Sequence, residues 1–138
     1  MITDVVISHR QKQIIFGHES GAIKIYRFNE TRKYLQELRG HQKKCHSLII
    51  SEKNNNDILY SSGEDNMIRI WNLYQFEEIY SLRIDLICDQ IILLSDELAF
   101  VKFYDMRKTC LCKINAYKME PIMTENKDSK INSLKCDG

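Results

Sequence analysis

Residues 61–73 read SSGEDNMIRIWNL: a polar cluster with one glycine, then strict alternation, then Trp71, the single tryptophan of the chain. Ile68 and Ile70 flank Arg69 at period two, the spacing of a half-buried strand rich in β-branched residues. The Glu64-Asp65-Asn66 cluster ahead of them supplies short polar side chains that tolerate tight hairpin backbone. The stretch therefore predicts a strand, a tight turn and a second strand.

The pattern recurs. FGHESGAIKIYR (16–27) and LSDELAFVKFYD (94–105) repeat it, with Ile23 and Ile25 around Lys24, Val101 and Phe103 around Lys102, and polar turns at 18–21 and 95–97. Upstream, positions 2–8, 45–51 and 131–137 superpose as a shared opening strand. The best-formed unit reads as four strands at 45–50, 58–62, 67–73 and 77–82, an antiparallel meander. A single small sheet cannot bury both of its faces, and stacking such sheets radially at ~40 to 45 residues per unit solves that problem.

In the second unit Gly40-His41 leads in, Asp65 sits in the hairpin and Trp71-Asn72 closes the third strand. These residues, in that order, resemble the WD40-repeat family, with Asn72 where the family usually carries aspartate. The resemblance implies an all-β fold: a partial WD40-type β-propeller of about three four-stranded antiparallel blades plus the first strand of a fourth. The blades are expected at 1–39, 40–83 (the best match) and 84–117 (shortened and divergent), followed by a polar loop at 118–130 holding the only proline and an opening strand at 131–138. Unit one puts Phe16, Ser20 and Tyr26 where unit two has Ser61, Asp65 and Trp71, and unit three is aligned with Leu94, Leu98 and Tyr104 there. Three and a quarter blades do not close a ring of ~4 to 8, so the chain is expected to be a piece of a longer member or to complete its arc with another chain.

Composition sets the outer limits. A chain of 138 residues, 43% apolar and 28% charged, is one ordinary globular domain. A formal charge of +1 provides no global field toward nucleic acid or anionic lipid. Apolar runs such as IILL (91–94) fall far short of the ~20 residues of a membrane helix, and the opening MITDVVISHRQ lacks the order of a signal peptide. Cys45, Cys88, Cys110, Cys112 and Cys136 are odd in number and irregularly spaced, which reads as reduced, small apolar residues in a cytoplasmic chain.

By resemblance, His41, Ser61, Asp65 and Trp71 form a structural hydrogen-bonded chain, and a partly buried indole, imidazole and carboxylate each need such partners. The same trio of His, Ser and Asp invites a hydrolase reading, yet no G-x-S-x-G elbow surrounds Ser61 or Ser62. Cys110 and Cys112 share a strand face but lack the C-x-x-C turn spacing of zinc sites. Arg39, Lys43 and Lys44 form a small basic cluster flanked by Glu37 and Glu52, a solvated loop rather than a phosphate patch. The resemblance places partner contacts on one rim, here Lys44, His46 and Glu64 of unit two with Thr3 and Glu19 of unit one. No phosphate loop, carboxylate pair or metal set stands out, so neither catalysis nor a cofactor is expected. The reading is a noncatalytic protein-interaction scaffold in a larger eukaryotic assembly, with protein partners, no small-molecule substrate and no membrane. Alternatives are a permanent cytoskeletal or ciliary component and, less favoured, an RNA-associated propeller.

Overall fold

The alternating runs become strands in the computed structural model, which describes residues 1–28, 34–53, 56–84, 86–95, 97–103, 109–115 and 118–122. Sheet one is β1 (Ile2–Ser8), β2 (Gln13–His18), β3 (Ile23–Arg27) and β4 (Tyr34–Leu38). Sheet two is β5 (Cys45–Lys53), β6 (Asn56–Gly63), β7 (Met67–Asn72) and β8 (Glu77–Arg83). Sheet three is β9 (Cys88–Leu93), β10 (Leu98–Phe103), β11 (Thr109–Asn115) and β12 (Lys118–Pro121). Each is an antiparallel meander in which strands pair in chain order. Among the described residues no helix is long and apolar enough to cross a membrane.

Two tight turns use the backbone that the sequence anticipates. Gly21 in the β2–β3 turn has φ 92 and Asn66 in the β6–β7 turn has φ 60, both left-handed conformations that glycine and asparagine tolerate best. An alanine at Gly21 would also drive its Cβ to 2.4 Å from the His41 carbonyl, because this turn packs under the segment leading into sheet two.

The middle sheet is buried on both faces. Leu48, Leu59, Trp71 and Leu73 join Ile15, Ile23, Ile25 and Leu38 of sheet one in one core cluster. Ile58, Tyr60, Ile68, Ile70 and Leu82 point the other way and join Ile91, Ala99, Val101, Cys110 and Cys112 of sheet three in a second. Strand β6 is accordingly buried without interruption from Asp57 to Gly63, the pattern of a strand with apolar neighbours on either side. The sheets are thus layers, each interior face dry only because a neighbour covers it.

The third unit is not as the sequence alignment had it. Register pairs Cys88 with Phe103 and Ile91 with Val101, as it pairs Cys45 with Gly63 and Leu48 with Ser61. Leu98–Phe103 is therefore the second strand of its sheet, not the third, paired directly with β9. The counterparts of Ser61 and Trp71 are Val101 and Cys112, not Leu94 and Tyr104, and Leu94 and Leu98 instead pair with each other (N to O, 2.9 Å). Tyr104 lies outside the described residues. The physical cause is that every hairpin of a meander carries the same signal, polar turn then alternation, and period two does not say which hairpin it is.

Sheet three, though it spans fewer residues than the other two, keeps all four strands and is not confined to 84–117. Its last strand, Lys118–Pro121, occupies the start of the segment expected to be a loop at 118–130. Four residues with one inward apolar side chain, Met119 at 0% exposure, leave no periodic trace, and Pro121 is acceptable at the end of an edge strand, where its missing N–H costs no ladder bond. The rest of that loop, and the opening strand expected at 131–138, lie outside the described residues.

Candidate interaction rim

The short polar stretch that opens β7 is held by four side chains. His41 Nδ1 lies 3.0 Å from Asp65 Oδ1, and His41 Nε2 lies 2.7 Å from Ser61 Oγ. The indole of Trp71 donates to the same hydroxyl at 2.8 Å. A neutral imidazole carrying its proton on Nδ1 satisfies the whole chain: Nδ1–H donates to Asp65, Nε2 accepts from Ser61, and Ser61 accepts from Trp71. All four residues expected to form the network are brought together.

The distances among Ser61, His41 and Asp65 are those of a hydrolase triad, but the environment is not. Ser61 is 0% exposed, its oxygen receives the indole hydrogen, and a Cβ at Gly63 would meet the His41 ring at 2.6 Å and Asp65 at 2.7 Å. No reacting carbonyl has room to approach the hydroxyl. The group joins the hairpin to the segment leading into sheet two, and removal of one member strands the others at about 1 to 3 kcal/mol.

Asp65 is the hub. Burial pushes its carboxyl up, but the hydrogen bond and charge of His41, the Gln42 amide and Arg69 together outweigh that and hold it below the ordinary value. Asp65 accepts from the Gln42 amide at 3.1 Å and the Met67 amide at 3.3 Å, so one carboxylate ties the lead-in segment to both sides of the turn. Arg69 reaches on to Glu78 at 2.6 Å.

The expected partner-binding residues fall at the same end of the sheets. His46 is the extra residue of a β-bulge, since the register steps from Cys45 opposite Gly63 to Ser47 opposite Ser62; bulges re-aim side chains at rims. Its Nε2 lies 3.2 Å from Glu64 Oε1, and the Glu64 amide donates to the Lys44 carbonyl at 2.8 Å. Lys44, His46 and Glu64 are thus one cluster, half-buried rather than fully exposed. In sheet one Thr3 is the equivalent bulged residue and the Glu19 amide donates to the Met1 carbonyl at 3.0 Å. Glu19 is exposed, whereas Thr3 is engaged: its hydroxyl donates to the Cys45 carbonyl of sheet two at 2.6 Å.

Sequence reasoning missed the third member of this row. Asp89 is the bulged residue of β9, skipped between Cys88 and Gln90, and lies 3.7 Å from Lys102. The alignment error in unit three concealed it. The missed signal was Cys88 itself, since Cys45-His46 and Cys88-Asp89 open their strands alike.

Beside the cluster lies a depression of about 300 Å³ lined by Gln42, Lys43, Glu64, Asp65, Asn66 and Arg83. Two cations and two anions face it. Arg39, the outlying member of the basic cluster, is paired with Glu37.

At the opposite end of the same sheets is a joint for which the sequence offered no motif. Ser8, at 0% exposure, donates to the equally buried Asp57 across the boundary between sheets one and two. Arg10 stands 3.8 Å from the same carboxylate, and the His9 amide donates to Glu52 at 3.1 Å. The cysteines sit in the cores between the sheets. Burial pushes the thiols of Cys45 and Cys88 up to about 12, and Cys110 and Cys112 lie with their sulfurs 3.9 Å apart inside the second core.

No family model matches the sequence, and no curated protein matches it either. The structure does have matches. The β-propeller domain of Cps50 (Swd1) from Myceliophteria thermophila superposes with a TM-score of 0.74 at 17% identity, over 94% of this chain and 42% of that one. A chain of the mitotic checkpoint complex superposes with a TM-score of 0.76 at 10% identity, over 88% of this chain and 38% of that one. The chain therefore spans about two fifths of the length of these structures. Its fold is therefore that of a β-propeller, all-β, with three four-stranded antiparallel blades among the described residues.

Proposed function

We propose that the chain is a noncatalytic protein-interaction scaffold that presents the rim of bulged inner strands, centred on Lys44, His46 and Glu64, to partner proteins. The observation that carries this reading is the clustering of those three side chains on rigid strand ends beside a depression lined by charges of both signs. Binding groups commonly sit on such loops and ends held by a rigid scaffold. A mixed-sign surface complements the alternating dipoles and charges of a polypeptide, whereas a nucleic-acid backbone calls for cations alone. Membership of one structural neighbour in a mitotic checkpoint complex supports protein partners as the class.

The cytoplasm is the compartment this reading places it in, where an odd, irregularly spaced set of cysteines is expected to stay reduced. A permanent position in a cytoskeletal or ciliary assembly is a special case of the same role. Substitution of Lys44, His46 and Glu64 together by alanine tests it: partner recovery in a pull-down falls at least tenfold while the far-UV spectrum stays that of the parent. Unchanged recovery with this variant removes the rim from the account.

A further inference from the structure

The depression beside the rim is walled by pieces of the middle blade and its lead-in segment, each fixed through its backbone. Gln42 and Lys43 belong to the lead-in segment, which packs on the β2–β3 turn so closely that a Cβ at Gly21 would sit 2.4 Å from the His41 carbonyl and 2.6 Å from that of Lys43. Glu64, Asp65 and Asn66 form the β6–β7 turn, tied to the lead-in segment by the Gln42 amide, which donates to Asp65 at 3.1 Å. Arg83 ends β8 opposite Met67, and the Ile84 amide that follows it donates to the Asn66 carbonyl at 2.8 Å. At about 300 Å³ the space lies at the small end of ligand pockets, suited to one side chain and not to a cofactor.

The charges that face it differ in what they have left to offer. Asp65 accepts from the His41 ring and from the Gln42 and Met67 amides, with Arg69 3.9 Å away. Glu64 Oε1 faces His46 Nε2 at 3.2 Å. Both carboxylates are thus engaged from within the blade. Lys43 and Arg83 are exposed, and neither side chain has an ion-pair or hydrogen-bond partner among the described residues. An ammonium and a guanidinium therefore line the space with their N–H donors unanswered.

We propose that this depression captures one acidic side chain, an aspartate or glutamate of a partner polypeptide, between Lys43 and Arg83. The proposal rests on the reading of the rim as a protein-binding surface and names the chemistry of what that surface holds. A carboxylate brings a single charge and two acceptor oxygens, which suit a guanidinium fork on one side and an ammonium on the other. The wall sets the limit on charge. Asp65 is held below the ordinary carboxylate value and stays ionised at neutral pH, so it repels a phosphate dianion about twice as strongly as a carboxylate. A basic side chain meets the opposite obstacle, because the wall carboxylates are already engaged and the free groups are cations.

Chemical-shift titration of the isotope-labelled chain tests this, with end-capped pentapeptides Gly-Ser-X-Ser-Gly in which X is glutamate, glutamine, phosphoserine or lysine. The glutamate peptide should shift the amides of Lys43, Asn66 and Arg83 with a roughly millimolar midpoint, and the glutamine peptide should bind about tenfold more weakly. Lys43→Gln and Arg83→Gln, both at exposed positions, should each weaken the glutamate peptide by about threefold to tenfold while the far-UV spectrum stays that of the parent. Equal binding of the glutamate and glutamine peptides overturns the proposal, as does tighter binding of the phosphoserine or lysine peptide. So do an absence of shifts at these amides and shifts that persist when both cations are replaced. Pull-downs separate this outcome from that of the rim. Partner recovery that falls with the Lys44, His46 and Glu64 variant but not with Lys43→Gln and Arg83→Gln together leaves the rim standing and overturns the capture of an acidic side chain. Full recovery with the rim variant, alongside glutamate-peptide shifts that need both cations, keeps the capture and removes the rim.

Discussion

Asp65 illustrates how much one side chain can hold: it accepts from the His41 ring and from the Gln42 and Met67 amides, at 3.0, 3.1 and 3.3 Å. Its carboxyl titrates below the ordinary value, so the folded chain takes up that proton less readily than the unfolded one. The stability this confers is complete above about pH 4, the unfolded carboxyl's own value, and is lost as pH falls through the lower folded value. Asp65→Asn should cost about 1 to 3 kcal/mol at pH 7 and flatten the acid limb of the urea midpoint plotted against pH. A variant whose curve merely shifts downward in parallel would remove Asp65 from the acid response. This network was legible in the sequence through the resemblance of Gly40-His41, Asp65 and Trp71-Asn72 to the WD40 repeat, and it accords with the need of a buried indole, imidazole and carboxylate for partners. The Ser8–Asp57 joint was not, because its members stand 49 positions apart and no local pattern connects them.

At the scale of elements, the four strands of the second blade follow from alternation and turn chemistry, and their observed limits differ from the expected ones by a few residues at the ends. Blade three shows where that logic stops. Alternation in LAFVKF identifies a strand but carries no index, and the polar Ser95-Asp96-Glu97 turn imitates Glu64-Asp65-Asn66 closely enough to displace the alignment by one strand. Strand β12 was invisible for a different reason, being too short for a period to register. Its claim to be a structural element is testable through Met119, which is 0% exposed in the core shared with blade two. Met119→Ala should destabilise the chain by about 2 to 5 kcal/mol in chemical denaturation, the usual range for emptying a buried site. A change within ~0.5 kcal/mol, typical of a surface position, would return the segment to the loop it was first expected to be.

For the whole molecule, the account rests on mutual cover: blade two stays dry because blade one lies on one face and blade three on the other. The same dependence explains why the rim is rigid, since the bulges at Thr3, His46 and Asp89 sit on inner strands that neighbouring blades brace, and Thr3 is itself bonded across a seam. Composition and repeat length announced a stack of sheets, but which faces meet is a property of register, and register emerged only with the paired strands. The most direct test is a methyl nuclear Overhauser experiment on a chain labelled at isoleucine, leucine, valine and alanine. Leu59 should show cross-peaks to Ile15 or Ile25 of blade one, and Ile58 or Ile70 to Ala99 or Val101 of blade three, with the two sets not overlapping. Cross-peaks from Leu59 to blade three, or none from either face of blade two to a neighbouring sheet, would contradict the arrangement on which everything else depends.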